Sequence, residues 1–145
     1  MKKKLLVING PNLNFLGERE TGFYGRESWK AIEERMVVRA ERAGIELLTY
    51  QSNHEGAIVD FIQENMRDAA GVIINPAGYT KTGFAILDAL LIKPLPFIEV
   101  HLSNIYSRGG WHAESTFSEH AMGCISGMKG LVYDLALQAF DHFLH

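Results

Sequence analysis

Short apolar runs alternate along the chain with segments whose apolar residues recur every three to four positions. Residues 4–8 are unbrokenly apolar after Lys4 and are closed by Asn9-Gly10-Pro11, which predicts a buried strand ending in a turn. A polar, glycine-bearing segment covers residues 12–27. Ser28 is a helix cap, and Trp29, Ile32, Met36, Val37 and Ala40 fall on one helical face. Gly44 stands where a left-handed helix end is common. Residues 45–50 read as a second strand. Asn53 is the expected cap of a second helix bearing Ile58, Phe61, Ile62, Met66 and Ala69. A third strand spans 71–74, and a third helix spans 82–91 with Phe84, Leu87, Leu90 and Leu91 apolar. Pro94 and Pro96 break it before a fourth strand over 97–102. A polar segment over 103–119 leads to a short fifth strand at 123–125. The last helix runs over 129–145, with Leu131, Leu135, Phe140, Phe143 and Leu144 as its apolar set.

Strands alternating with helices of this length predict a single α/β domain over residues 1–145, with a parallel sheet covered on both faces. In such a sheet ligands bind beyond the carboxyl ends of the strands. The segments there are 9–27, 51–55, 75–82 and 103–112, and they carry most of the Asn, His, Arg, Tyr and Gly of interest.

Composition narrows the class. The chain has 145 residues, 47% hydrophobic and 21% charged, with a formal net charge of -3. No basic stripe suggests a nucleic-acid partner. One cysteine, Cys124, forms no intrachain disulfide framework and suits a reducing cytoplasm. It sits among Ala-Met-Gly and Ile and reads as core rather than nucleophile. The apolar run after Lys2-Lys3-Lys4 is too short for a signal peptide, and nothing approaches the ~18 apolar residues of a membrane span.

Candidate chemistry lies at the strand tips. Glu99 and His101 are two apart on the fourth strand and point the same way. A carboxylate beside an imidazole fixes its tautomer, which suits a proton donor and equally suits a structural ion pair. Tyr24 lies between Gly22 and Gly25, near Arg19 and Arg26. A guanidinium stabilises phenolate over phenol, which a phenolic base requires; a surface aromatic is the plainer alternative. Gly17, Gly22 and Gly25 would let this loop close as a lid. Asn9, Asn12, Asn14, Asn53, Asn75 and Asn104 supply amides that make turns or donate to an oxyanion. Arg108 before Gly109-Gly110, and Lys81, are either anion-gripping cations or solvated charges. His142 and His145 complement the dipole of the last helix. His101, His112 and Glu114 lack the ligand spacing of a zinc site.

Four ordered blocks carry a resemblance. Asn9-Gly10-Pro11-Asn12-Leu13-Asn14, Leu16-Gly17, Arg19-Glu20 and Tyr24-Gly25 resemble the opening of type II 3-dehydroquinate dehydratases. Gln51-Ser52-Asn53-His54-Glu55-Gly56, then Ile74-Asn75-Pro76 with Tyr79-Thr80, then Glu99-Val100-His101-Leu102-Ser103-Asn104 resemble the later blocks. Ser126-Gly127 and Leu135-Ala136-Leu137 are similar to the ending. The resemblance implies a flavodoxin-like three-layer sandwich with a five-stranded parallel sheet. It implies the anti elimination of water from 3-dehydroquinate, a small-molecule substrate, without metal or organic cofactor. Tyr24 would take the axial proton beside the ketone, with Arg19 and Arg108 near it. Asn12 would position a water against the enolate, and His101, oriented by Glu99, would protonate the departing hydroxyl. Asn75 with the backbone of Leu102 and Ser103 would hold the substrate carboxylate. Asp88 would reach a neighbouring subunit's site in a homododecamer, a tetramer of trimers.

Two positions depart from the family pattern. Lys81 stands where the family has histidine, and His112 stands in Arg108-Gly109-Gly110-Trp111-His112 where it has arginine. Both positions face the ring hydroxyls in the family, so the pair reads as a compensating exchange. The departures leave room for a related cyclic hydroxy-ketone acid as substrate, or for a carboxylate-binding protein with weak catalysis. A flavin-binding relative is disfavoured because Asn9-Gly10-Pro11-Asn12 lacks a Ser/Thr-rich phosphate loop. Schiff-base chemistry at Lys81 would need a lowered pKa that nothing in the sequence predicts.

Overall fold

The computed structural model describes residues 2–145. Five strands, β1 (Lys3–Asn9), β2 (Ile45–Gln51), β3 (Gly71–Asn75), β4 (Phe97–His101) and β5 (Gly123–Ser126), form one sheet. Their order is β2-β1-β3-β4-β5 and every neighbouring pair is parallel, the flavodoxin-like arrangement. The strand order reverses between β1 and β3, which opens a crevice at their carboxyl ends. The helices are α1 (Thr21–Tyr24), α2 (Trp29–Arg42), α3 (Glu55–Asn65), α4 (Phe84–Ile92), α5 (Ile105–Arg108) and α6 (Leu131–Leu144). Single 3-10 turns occur at Leu13–Phe15, Ala77–Tyr79 and Gly110–Ala113.

Alternate strand residues feed two cores. Leu5, Val7, Ile73, Ile98 and Val100 pack under α2 and α6 against Ile32, Met36, Val132 and Phe140. Leu6, Ile8, Val72, Ile74 and Phe97 pack under α3 and α4 against Ile58, Ile62, Ile86 and Leu90. Because the central strands bury both faces, they read as unbroken apolar runs. Each fully buried Leu or Ile contributes about 1.5–3 kcal/mol of hydrophobic stabilisation.

Several local expectations shift. Ser28 Oγ accepts from Ala31 N–H at 3.1 Å and caps α2, and Gly44 is left-handed at φ 70°, both as the sequence predicts. Asn53 does not cap α3, which begins at Glu55 with His54 in the cap position. Instead Asn53 Oδ1 accepts from Asn12 N–H at 3.0 Å and from Gln51 Nε2 at 3.3 Å, tying the loops after β1 and β2 together. The 12–27 segment is not all loop: it holds the 3-10 turn and α1. The face of α6 is also rotated. Leu131 and Phe143 are 47% and 67% exposed, while Val132, Tyr133, Asp134, Ala136, Leu137 and Phe140 are buried. The buried charge of Asp134 hid that face in the sequence; Arg35 grips its carboxylate at 2.8–3.1 Å and also bonds Glu27, where the lid segment joins α2. Cys124, expected in the core, is only partly covered, because it lies on β5, the edge strand among the described residues.

The crevice is shaped by two tight passages. Gly10 N–H donates to Asn75 carbonyl at 2.8 Å, and a Cβ at Gly10 would stand 2.4 Å from the Pro76 oxygen, so only glycine lets the β1 and β3 loops pass. Gly127, Met128 and Lys129 have φ of 91°, 63° and 55° in succession. This strained turn lets Gly127 N–H and Lys129 N–H bond the carbonyls of residues 101–103 at 2.9–3.1 Å, clamping the tip of β4.

Candidate active site

The loops beyond β1, β3 and β4 enclose a cavity of about 380 Å³, the size of a small-molecule site. Asn12, Arg19, Tyr24, Asn75, His101, Leu102, Ser103, Arg108 and His112 all line it. Glu99 stands directly behind His101, wholly buried. Thus residues from the three segments after β1, β3 and β4 meet around one cavity.

The imidazole side is rigid. Glu99 Oε2 accepts from His101 Nε2 at 2.5 Å and from Ser115 Oγ at 2.7 Å, and Oε1 accepts from Ser118 Oγ. Ser115 Oγ in turn accepts from the N–H groups of Phe117 and Ser118, which fixes the hydroxyl. Burial pushes the Glu99 carboxyl up, but the donors from His101, Ser118 and Ser115 together outweigh it and hold it below its ordinary value of 4.5. Glu99 is therefore a carboxylate at neutral pH. With Nε2 given to it, Nδ1 is the His101 nitrogen left for the cavity. Neither serine was singled out in the sequence; their i, i+3 spacing in a polar segment is the signal that marks them.

The phenol side is built from the segment after β1, residues 12–27, that holds α1. Arg108 Nη1 donates to Tyr24 Oη at 2.8 Å. Arg19 lies over the face of the ring, 4.8 Å from its centroid, rather than on its oxygen. Arg108 is steadied in turn by the Phe23 ring at 4.8 Å and by Glu20 at 3.9 Å. So the guanidinium on the phenol oxygen is that of Arg108, brought by the loop after β4 from 84 residues away. Arg26 is exposed and does not line the cavity.

Lys81 and Asp88 stand apart from this cavity. The Lys81 ammonium pairs with Glu114 at 2.8 Å, with both side chains about half exposed. Asp88 is exposed on α4. His112 does face the cavity and is stacked on Trp111, with ring centroids 3.7 Å apart. The expected exchange between Lys81 and His112 therefore has only its imidazole half at the cavity wall, because Glu114 draws the ammonium away. Tyr133, Glu20, Trp111 and Thr80 bear on the site and were not singled out in the sequence.

Among the described residues, Glu99, His101 and Cys124 are the single group of His, Cys, Asp or Glu side chains whose ligand atoms fall within 4.8 Å of one another. The Glu99 carboxylate there is already met by three donors. Burial and the Glu99 charge push the Cys124 thiol up to about 11, so it is no thiolate at neutral pH. Among the described residues, His101, His112 and Glu114 do not together form such a group.

The arrangement can move a proton onto a phenol oxygen on one side and off an imidazole on the other. A model of the dehydroquinase class II family matches residues 3–141 of the chain. The chain belongs to the class II dehydroquinases. It is 48% identical over 139 residues to a 3-dehydroquinate dehydratase of Nitrosomonas eutropha, covering 95% of this chain and 96% of that one. It is 46% identical over 138 residues to catabolic 3-dehydroquinase 1 of Aspergillus fumigatus, covering 95% and 92%. The crystal structure of the type II dehydroquinase from Butyrivibrio crossotus superposes with a TM-score of 0.92 at 40% identity, over 97% of this chain and 98% of that one. Membership in this family of dehydroquinases agrees with the flavodoxin-like sheet and with the position of the cavity at the strand tips. Among the described residues no helix is long and apolar enough to cross a membrane.

Proposed function

We propose that this class II dehydroquinase removes water from 3-dehydroquinate to give 3-dehydroshikimate, in the shikimate or quinate pathway. The observation that carries the reading is the single cavity onto which both Tyr24, with Arg108 on its oxygen, and His101, with Glu99 behind it, open. Tyr24, as phenolate, takes the axial proton beside the ketone. The electrons of that C–H bond pass into the enolate, which a water held by Asn12 stabilises. The enolate collapses to the conjugated enone and expels the hydroxyl on the ring. His101, acting as the imidazolium with its Nε2–H kept on Glu99, delivers its Nδ1 proton to that leaving oxygen, and water departs. The cation of Arg108 steadies phenolate charge on the oxygen it touches, and Arg19 adds positive charge over the ring. Asn75 and the backbone of Leu102 and Ser103 bind the carboxylate, while His112 faces the ring hydroxyls. Lys81 reaches that wall only by giving up Glu114.

The active form in this reading is a homododecamer, a tetramer of trimers, acting in the cytoplasm. What supports assembly is the outer face of α4. Phe84, Leu91 and Ile92 are 62%, 41% and 60% exposed, and Asp88 lies among them at helical spacing. Within a trimer Asp88 would reach a neighbouring subunit's cavity. Light scattering of the purified protein tests this; a monomer that is fully active sinks it.

Incubation with 3-dehydroquinate, followed by the ultraviolet absorbance of the enone, tests the chemistry. Absorbance should grow with the intact protein and slow by about 10²–10⁴-fold in Tyr24→Phe. Binding of 3-dehydroquinate with no enone formed would reduce the protein to a carboxylate-binding module.

A further inference from the structure

Asn75 closes the end of β3, and its amide has four hydrogen-bonding positions, two accepting and two donating. Ala77 N–H donates to Oδ1 at 3.2 Å, which identifies that atom as the oxygen. Nδ2 must then be the donor of the 3.1 Å contact with Tyr133 Oη. Tyr133 has one hydroxyl proton, and it goes to Asn9 Oδ1 at 2.7 Å. Every proton in the chain Ala77, Asn75, Tyr133, Asn9 thus has one direction, held jointly by the long Ala77 N–H bond to Oδ1 and by the Tyr133 hydroxyl that accepts from Nδ2.

Asn9 and Asn75 sit opposite each other in the β1–β3 register, and Tyr133 comes down from α6 to join them. Asn9 and Tyr133 are wholly buried and Asn75 nearly so. Asn9 Nδ2 is buried and has no hydrogen-bond partner among the described residues. A buried donor left unpaired is destabilising, and a network serving the fold alone would be expected to satisfy it. The arrangement instead keeps the hydroxyl of Tyr133 aimed at Asn9, so that its oxygen must accept from Asn75. Burial pushes the Tyr133 phenol well up, so it holds its proton and the direction does not reverse with pH.

We infer that Tyr133 is a positioning residue for the active site: with Asn9 it locks the Asn75 amide so that an N–H, and not the carbonyl oxygen, is presented to an oxygen of the bound substrate. One Nδ2 hydrogen is committed to Tyr133, and the second is left for the cavity that Asn75 lines. A rotated amide would offer its oxygen to the substrate carboxylate and repel it. The role rests on the proposed dehydratase reading, in which Asn75 binds the carboxylate.

Tyr133→Phe in the full-length protein removes the hydroxyl and keeps the ring that packs 5.1 Å from Trp29. KM for 3-dehydroquinate should rise about tenfold, the factor that one hydrogen bond of about 1.4 kcal/mol represents. The value of kcat should stay within about threefold of the parent. Val132→Ala, one residue away on α6 and buried in the core, supplies the comparison for lost stability: it should lower Tm at least as much and leave KM within about twofold. Neutron crystal structures of the parent and of Tyr133→Phe, in which the deuterated amide nitrogen is told from the oxygen, provide a reading that needs no turnover. The Asn75 amide should leave its Ala77-bonded orientation in the variant and keep it in the parent. An unchanged KM, or an Asn75 amide that stays in place without the hydroxyl, overturns the inference. If the parent forms no enone, the dehydratase reading fails and the two crystal structures alone decide the positioning role.

Discussion

Replacing Glu99 with Gln removes one charge and almost no volume. The carboxylate is wholly buried and accepts from His101, Ser115 and Ser118. A Gln side chain ends in one carbonyl oxygen and one amide NH2, so it cannot accept on both ends. Either a serine loses its acceptor or His101 faces an N–H where it had an anion. Losing a hydrogen bond to a charged group costs about 1.5–3 kcal/mol, which as a rate factor is roughly 10- to 150-fold. We expect kcat to fall by about that amount, at or below the lower end of the roughly 10²–10⁴-fold that a positioned general acid contributes, because His101 itself remains. KM should move less than about threefold, because Glu99 lies behind His101 and does not line the cavity. Stability provides a second reading with a definite sign. The folded-state value of Glu99 is held below its ordinary 4.5. Its contribution is therefore fully present above 4.5 and is lost as pH falls through the lower folded value. Urea midpoints of parent and Glu99→Gln should differ most above that pH and converge on acidification. Stopped-time enone assays give the first result and fluorescence-monitored urea titrations at a series of pH values give the second. A kcat within threefold of the parent, or a midpoint difference that does not shrink with acid, would refute the argument.

Three further outcomes follow from geometry. Gly10→Ala puts a Cβ against the Pro76 carbonyl at 2.4 Å, and overpacking of this kind costs about 1–3 kcal/mol; a Tm equal to the parent's would show that the two loops are not tightly apposed. Arg35→Met removes the close partner of the buried Asp134 carboxylate and leaves it only Arg39, at 3.8 Å, a loss of about 1–3 kcal/mol once the partial exposure of the guanidinium is allowed for. Because Arg35 also bonds Glu27, lid closure should weaken as well, raising KM; a urea midpoint unchanged from the parent's would contradict the ion-pair account. The Cys124 thiol, pushed up to about 11 by burial and by the Glu99 charge, should react with iodoacetamide slowly at pH 7.5 and reach half its limiting rate near that value; half-limiting reaction close to the ordinary thiol value would show that Glu99 does not act on it.

The sheet was legible because the central strands β1 and β3 hold continuous apolar runs and each long helix carries a regular stripe, except where a charge is buried. Asp134 shows the limit. A carboxylate inside the α6 face reads as solvent-directed until Arg35, about a hundred residues earlier, is known to cover it. Cys124 shows another: its apolar neighbours suggest core, yet only the strand order reveals that β5 is an edge. The chemistry on single elements was legible too, since Glu99 and His101 share a strand face by spacing alone. What spacing could not supply was the long-range partner of each group. Spacing alone puts Tyr24 beside Arg19 and Arg26; only the family resemblance brings Arg108 near it, and the phenol oxygen bonds Arg108 from the loop after β4. The same holds for Tyr133 on Asn75.

The Lys81 and His112 positions extend that reasoning to specificity. In sequence they read as one exchange, a cation for an imidazole at two places facing the same hydroxyls. In the structure each has acquired its own local partner. Lys81 is held by Glu114, and His112 is stacked on Trp111. Two residues each stabilised by a third need not be coupled to one another. The consequence is that Lys81→His and His112→Arg should act additively on kcat/KM, with a double-mutant coupling below about 0.5 kcal/mol. A coupling well above that would mean that the Lys81 ammonium leaves Glu114 when substrate binds and shares the ring hydroxyls with His112. The two residues would then form one functional unit after all, assembled only in the complex.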